Sequence, residues 1–465
     1  ACASGGDEPS AASWARDSDA VATTATQRSV ETACGPLPEY PAPWEQRPVY
    51  EVKLTVDAAA RRVEGELDVR FTPDAPTDRL VFRLWANAPR LGRAGGRMDV
   101  TSARLDGVTR AGTYEPGGAV AGKPGTILTL MAAKPLPAGT PVDAQLTFSI
   151  TMPRVANDRI TQLGSSIRLG SAIPMLSWVR GEGWQTSPAV DAFAESVASE
   201  VADYDVTVEV PPDFTVLATG EERGPGRFIA EAARDWGATV GKLRLASVLA
   251  QGGATEVVAG VSEGAYDDPS DLAQSAAAAL DAMAERFGPY PYRRLTVGVT
   301  PELSGGIEFP QHILLGAGVS GDHLVHEVAH QWFYGIVGND QYKDPWLDEG
   351  LAKYADARID GRLGDVRAVV IPRQGRGHLG ESMAYWQAHL GAYFRSVYIQ
   401  GAQVMANLGD QLGGGAIVDC ALRRYVHANA YRLARPADLL AALRAQAGPK
   451  ATDDLLAPLG ATGGS

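Results

Sequence analysis

His326-Glu327-Val328-Ala329-His330 and Trp346-Leu347-Asp348-Glu349-Gly350, with eighteen residues between His330 and Glu349, decide how this chain reads. Two His four apart on a helix project from one face, so both imidazoles can reach a single ion. Imidazole and carboxylate suit zinc, and three protein ligands (His326, His330 and Glu349) leave a fourth position for water. Glu327 is rotated by about a third of a turn from His326 and points elsewhere. It is placed to take a proton from that water and pass it to a leaving amine, as general base and then acid. Gly335, Gly338, Asn339 and Asp340 mark the break after this helix. Asp344 reads as the N-cap of a second helix with Pro345 at its first position, which sets Glu349 just inside it. Asp356, seven beyond Glu349, shares its face and suits a hydrogen bond to a ligand imidazole. The pattern predicts a zinc-dependent peptidase holding one zinc ion, although other divalent ions accept the same donors.

The wider stretches, His326 through Gly335 and Trp346 through Tyr354, resemble the aminopeptidase N family of gluzincin metallopeptidases. Gly305-Gly306-Ile307-Glu308-Phe309-Pro310 resembles that family's GxMEN motif. The resemblance implies that Glu308, with Gly305 and Gly306 beside it, grips the free α-amine of a peptide. Tyr398-Ile399-Gln400-Gly401 resembles the family's Y-x-K-G segment, which implies that Tyr398 supports the tetrahedral oxyanion. A phenol is a suitable preorganised donor for such charge. The chain departs from the family where Ile307 stands for Met, Phe309 for Asn and Gln400 for Lys. These departures spare the zinc ligands and Glu327, so they bear on substrate positioning rather than on hydrolysis.

The implied activity is removal of N-terminal residues from peptides by a zinc-activated water. Two alternatives stay open. One is an endopeptidase with the same zinc core, suggested by the altered GxMEN segment. The other is a surface binding protein that keeps the fold with little turnover; the presence of both Glu327 and Tyr398 counts against it. Tyr393 is a second candidate to line the cleft. His323, three before His326, is read as helix surface, because a fourth protein ligand would close the water position. His312, His378, His389 and His427 lack ligand spacing and receive no role.

Length and composition set the frame. A chain of 465 residues holds two or three domains with a substantial core. A net charge of −13 argues against nucleic acid as partner, which wants a basic face, and leaves peptide substrates. Ala1-Cys2-Ala3-Ser4-Gly5-Gly6 resembles the segment around a bacterial lipoprotein cleavage site, where the Cys carries lipid. This implies an extracytoplasmic protein on the bacterial cell surface, held to the membrane only through Cys2. If Cys2 is lipidated, Cys34 and Cys420 remain as a pair for a disulfide in an oxidising compartment.

Patterning divides the chain into an α+β multidomain fold. Residues 1–45 are expected as a disordered lipoprotein-like tether, rich in Ser, Ala and Thr without apolar periodicity. Residues 46–245 are expected as an antiparallel, β-sandwich-like domain, because Tyr50, Val52, Leu54 and Val56, then Val63, Leu67, Val69 and Phe71, alternate with polar residues. Residues 246–450 are expected as a thermolysin-like, mainly helical zinc domain, with 451–465 a frayed tail. In it, Asp271 to Phe287 predicts a helix, Ile307 to Leu315 an edge strand bearing Glu308, and Ala416 to Gly448 two helices. The 64 residues after Gly401 are too few for the long helical C-terminal domain of large family members, which implies a more open cleft.

Overall fold

The computed structural model describes residues 34–461, apart from 36, 38, 192–197 and 320. Cys2 and the tether before residue 34 lie outside the described residues. Alternation builds the first strands: Tyr50, Val52, Leu54 and Val56 of Val49–Asp57 are buried, and its polar residues face out. Arg62–Phe71 pairs with it antiparallel, so Val63, Leu67, Val69 and Phe71 join the same core. Gly65 holds the remaining inward position of that strand because the Phe148 ring lies across it.

Among the described residues these strands form an eight-stranded sheet, closed by two four-stranded sheets into a sandwich-like domain. One core, containing Phe71, Phe82, Phe148, Phe228 and Trp236, fills it. The large sheet is antiparallel except where Val49–Asp57 runs parallel to Ala202–Glu209.

A five-stranded mixed sheet then runs in the order Leu243–Ala250, Thr255–Ser262, Arg294–Thr300, His312–Gly316, Gly306–Phe309. A domain boundary at 245/246 therefore falls inside its first strand. The expected single edge strand from Ile307 to Leu315 is a hairpin. Gly306–Phe309 and His312–Gly316 pair antiparallel around a turn in which Gln311 takes φ 64. The helix Pro269–Phe287 starts where the Asp268 carboxylate accepts from Ser270 N at 2.7 Å, and it buries Ala273, Ala276, Leu280 and Met283 in the core of the second domain. Helices Gly415–Asn429 and Pro436–Ala447 complete the core.

Among the described residues, segments from both the expected tether and the expected tail are built into the fold. Cys34 is buried and disulfide-bonded to Cys420, and the Tyr40 hydroxyl donates to Pro289 O at 2.9 Å. Cys34 is thus tied to a C-terminal helix, and Tyr40 to the residue pair that follows the helix Pro269–Phe287, rather than tethering loosely. Within the expected frayed tail, Pro449–Leu456 is a helix that buries Thr452 and Leu456. Pro at its first position and one apolar face suffice for a short helix once a neighbouring surface covers that face. Among the described residues, no helix is long and apolar enough to cross a membrane.

One buried cation joins the two domains next to the zinc motif. Arg234, at the end of the β domain, donates to the carbonyls of Gly335 (3.3 Å), Ile336 (3.2 Å), Arg432 (3.4 Å) and Ser199 (3.0 Å). Beside it Tyr334, at φ 146, donates its hydroxyl to buried Asp235 at 3.3 Å. A non-glycine residue persists in such backbone only where its surroundings fix it. The turn that ends the first ligand helix is therefore held from the other domain.

Candidate active site

The helix Gly321–Ala329 carries His326 and Glu327, and His330 follows in its last turn with its N–H donating to His326 O at 3.2 Å. The helix Trp346–Ile359 carries Glu349. It starts one residue later than the sequence suggests. Asp344 contributes through its carbonyl, which accepts from Leu347 N at 3.1 Å, instead of a side-chain cap.

His326 Nε2, His330 Nε2 and Glu349 Oε2 form a nearly equilateral triangle with sides of 3.2, 3.2 and 3.3 Å. Zinc bonds of about 2.0–2.1 Å at tetrahedral angles place ligand atoms roughly 3.3 Å apart. The far nitrogens fix which atoms face inward. His326 Nδ1 lies 3.0 Å from Asp356 Oδ2, and His330 Nδ1 lies 3.0 Å from Phe333 O. With both Nδ1–H groups donating outward, both Nε2 lone pairs turn toward the Glu349 carboxylate. Three acceptors converging on one point need a cation.

The electrostatics agree. Burial opposes charge on His326, yet hydrogen bonds to Asp356 and then Glu349 outweigh it and raise this imidazole to about 9. Burial pushes the Glu349 carboxyl up, but His330 first and then His326 overcome that and hold it well below the usual carboxylate range. The site stabilises positive charge at its centre, and the donor set fits one zinc ion. Asp356 is itself held, by Lys353 Nζ at 3.2 Å from its other oxygen.

Glu327 stands beside this triangle, buried, with Oε2 lacking any protein hydrogen-bond partner among the described residues. Burial pushes its carboxyl up to about 8. Gly306 makes room for it: a Cβ there would sit 2.5 Å from Glu327 Oε1. Gly305 borders His323 instead, at 3.6 Å from a built Cβ. His323 is half exposed and lies outside the ligand triangle. Glu308 projects from the edge strand so that its carboxylate groups with Glu327 and His330, their ligand atoms all within 4.8 Å of one another. Phe309, where the family has Asn, is buried against Gly170 and Gly237 of the β domain.

Tyr398 donates its hydroxyl to Glu349 Oε1 at 2.7 Å and its ring lies 5.8 Å from that of His326. It sits in a π-helical turn, Arg395–Ile399. Such turns are rare and concentrate at functional sites, and nothing in the residue pattern announces this one. Tyr393 is buried, with its ring edge-on to that of Tyr398 at 5.8 Å. The sequence reading also missed Gln341, whose Nε2 bridges Glu308 Oε1 (3.3 Å) and Asp348 Oδ2 (2.8 Å). Gln341 lies in the irregular connection between the ligand helices, where no periodicity marks it.

Comparison with known proteins follows the same outline. Residues 321–457 match the Peptidase family M1 domain. Aminopeptidase B of Rattus norvegicus is 29% identical over 175 residues, 34% of this chain and 26% of that protein. Leukotriene A-4 hydrolase of Xenopus laevis is 32% identical over 84 residues, 16% of this chain and 14% of that protein. The matched segments thus span about a quarter or less of these relatives. The M1 zinc metallopeptidase of Deinococcus radiodurans has the same fold, with a TM-score of 0.66 at 20% identity over 94% of this chain and 99% of that one. A variant of it bound to a Tyr-Ser-Ala substrate superposes with a TM-score of 0.67 at 18% identity, over 94% and 99%. Residues 321–457 thus carry a Peptidase family M1 domain, and the chain as a whole shares the fold of the M1 zinc metallopeptidase from Deinococcus radiodurans.

Proposed function

We propose that this chain removes N-terminal residues from peptides by zinc-dependent hydrolysis. The single observation that carries the reading is the spatial order around the ligand triangle. A carboxylate with one oxygen that accepts no hydrogen bond among the described residues (Glu327 Oε2) and a second carboxylate (Glu308) both stand beside His330.

His326, His330 and Glu349 would hold a zinc ion, which would supply Lewis acidity to a scissile carbonyl and to a water. Glu327, whose Oε2 accepts no hydrogen bond among the described residues, takes a proton from the attacking water and returns one to the leaving amine. Tyr398, 2.7 Å from Glu349 Oε1, turns its donor to the oxyanion as negative charge develops there. Glu308, steadied by Gln341, pairs with the substrate ammonium and sets the register at one residue from the chain end. The relatives support the reading: aminopeptidase B by its name, and the Deinococcus radiodurans protein by its bound tripeptide.

The test compares aminoacyl amides with their N-acetylated twins, with chelator and zinc add-back. Chelator-sensitive cleavage confined to free amines supports the aminopeptidase. Equal cleavage of blocked substrates favours the endopeptidase, which the Phe309 substitution keeps in view. Glu308→Ala should weaken free-amine substrates and leave the blocked ones as they were.

We also propose an extracytoplasmic setting with a lipid anchor at Cys2. The lipoprotein-like Ala1-Cys2-Ala3-Ser4 segment supports it, as does the Cys34–Cys420 disulfide, a bond that persists in oxidising compartments. Metabolic labelling with a fatty-acid analogue, in the native protein and in Cys2→Ser, tests the anchor.

A further inference from the structure

Leu390, Phe394 and Tyr398 follow one another at intervals of four residues, and this stripe leads from solvent to the ligand triangle. Leu390 and Phe394 sit on the short helix Leu390–Phe394 and Tyr398 in the π-helical turn that continues it, so the three share a face. Leu390 is 46% exposed and Phe394 49% exposed. The Phe394 and Tyr398 rings stand 4.8 Å apart, within aromatic contact. Tyr398 then touches the site itself, through Glu349 Oε1 and the His326 ring. Half-exposed large apolar side chains joined to a polar cleft are the composition of a subsite wall.

The direction of the stripe assigns its occupant. Glu308 groups with His330, and Tyr398 packs on His326, so the two flank the triangle on different sides. A peptide whose ammonium pairs with Glu308 crosses the metal position with its first carbonyl. Its next residue then leaves on the Tyr398 side, along Phe394 and Leu390. Resting on the aminopeptidase reading above, we propose that Phe394, with Leu390, is a specificity-determining wall that selects peptides with a large apolar residue immediately after the scissile bond. The cationic and acidic alternatives have no counterpart in the stripe itself, which offers only carbon surface.

The experiment measures kcat/KM for Ala-Phe-Ala, Ala-Leu-Ala, Ala-Gly-Ala and Ala-Asp-Ala with the full chain, its Phe394→Ser and Phe394→Leu variants, and Tyr266→Ser. Tyr266, 99% exposed and outside the stripe, is the control for removing a surface aromatic. The expected result is a preference of about tenfold for Phe or Leu over Gly, the scale of one apolar side chain half covered by a wall. It should collapse in Phe394→Ser, largely survive in Phe394→Leu and remain in Tyr266→Ser. A native chain with no preference for Phe or Leu, or a preference that persists in Phe394→Ser, overturns the assignment while leaving the aminopeptidase intact. Failure to cleave any of the four overturns both.

Discussion

Replacing Gly306 with Ala tests whether Glu327 is held where the chemistry needs it. Gly306 has ordinary backbone, so Ala costs nothing through φ; what it meets is Glu327. The new Cβ would lie 2.5 Å from Oε1, against ordinary contact at roughly 3.4 Å or more, so the carboxylate must withdraw by about 1 Å. Glu327 is only 4% exposed and has little room to yield without disturbing its neighbours. A displacement of about 1 Å in a catalytic group costs on the order of 10²-fold in rate. The three atoms nearest to the new Cβ all belong to Glu327 and none to His326, His330 or Glu349, so the metal should stay. The assay is kcat on a free aminoacyl amide beside zinc content by elemental analysis. Expected are one zinc per chain and kcat lowered about 100-fold. Gly305→Ala meets only His323 Cδ2 at 3.6 Å and should stay within a few-fold of the native enzyme. Full activity in Gly306→Ala, or loss of zinc instead of rate, would refute the reasoning.

Three further outcomes follow from other contacts. Asp356→Ala removes the acceptor that orients His326, so zinc affinity in competition with a chelator should fall about 10–100-fold with a folded protein. Cys34→Ser opens a staple spanning 386 residues of sequence and should lower stability by about 2–5 kcal/mol, read as a depressed midpoint in thermal melts; an unchanged midpoint counts against a disulfide in solution. His312 lies between Thr296 Oγ1 (2.6 Å) and Thr239 Oγ1 (3.2 Å), where burial, then Arg294, depresses its imidazole to about 3. Its folded value lies below the unfolded value of about 6.5, so the unfolded chain takes up the proton first as pH falls. The stability this neutral imidazole contributes is complete above about pH 6.5 and declines below it, by about 2 kcal/mol at pH 5. Melts of native protein and His312→Gln between pH 7 and 5 check this; parallel pH dependences would contradict it.

What the sequence disclosed was local. His326, Glu327 and His330 lie within one and a half turns of helix, and Glu349 to Asp356 within two, so spacing alone fixes which of them share a face. The strand Val49–Asp57 likewise announces its buried side by alternation. What stayed hidden depends on distant partners. No pattern reveals that Val49–Asp57 runs parallel to Ala202–Glu209, since that pairing is decided by the rest of the sheet. The Arg234 clamp joins carbonyls from three separate segments, and a lone Arg in a strand-rich stretch reads as solvated surface. Gln341 sits in an irregular connection, and the π-turn under Tyr398 carries no residue signature. Asp344 looked like a cap because its residue type is a good cap, but its carbonyl serves the helix start.

The central claim is that Glu327 performs proton transfer beside a zinc that other residues hold. Glu327→Gln keeps the shape and removes the base, and it tests this most directly when hydrolysis and zinc content are measured on one sample. The account predicts one zinc per chain bound as tightly as in the native protein, with turnover of free aminoacyl amides abolished. Turnover retained in Glu327→Gln, with the zinc still bound, would contradict it.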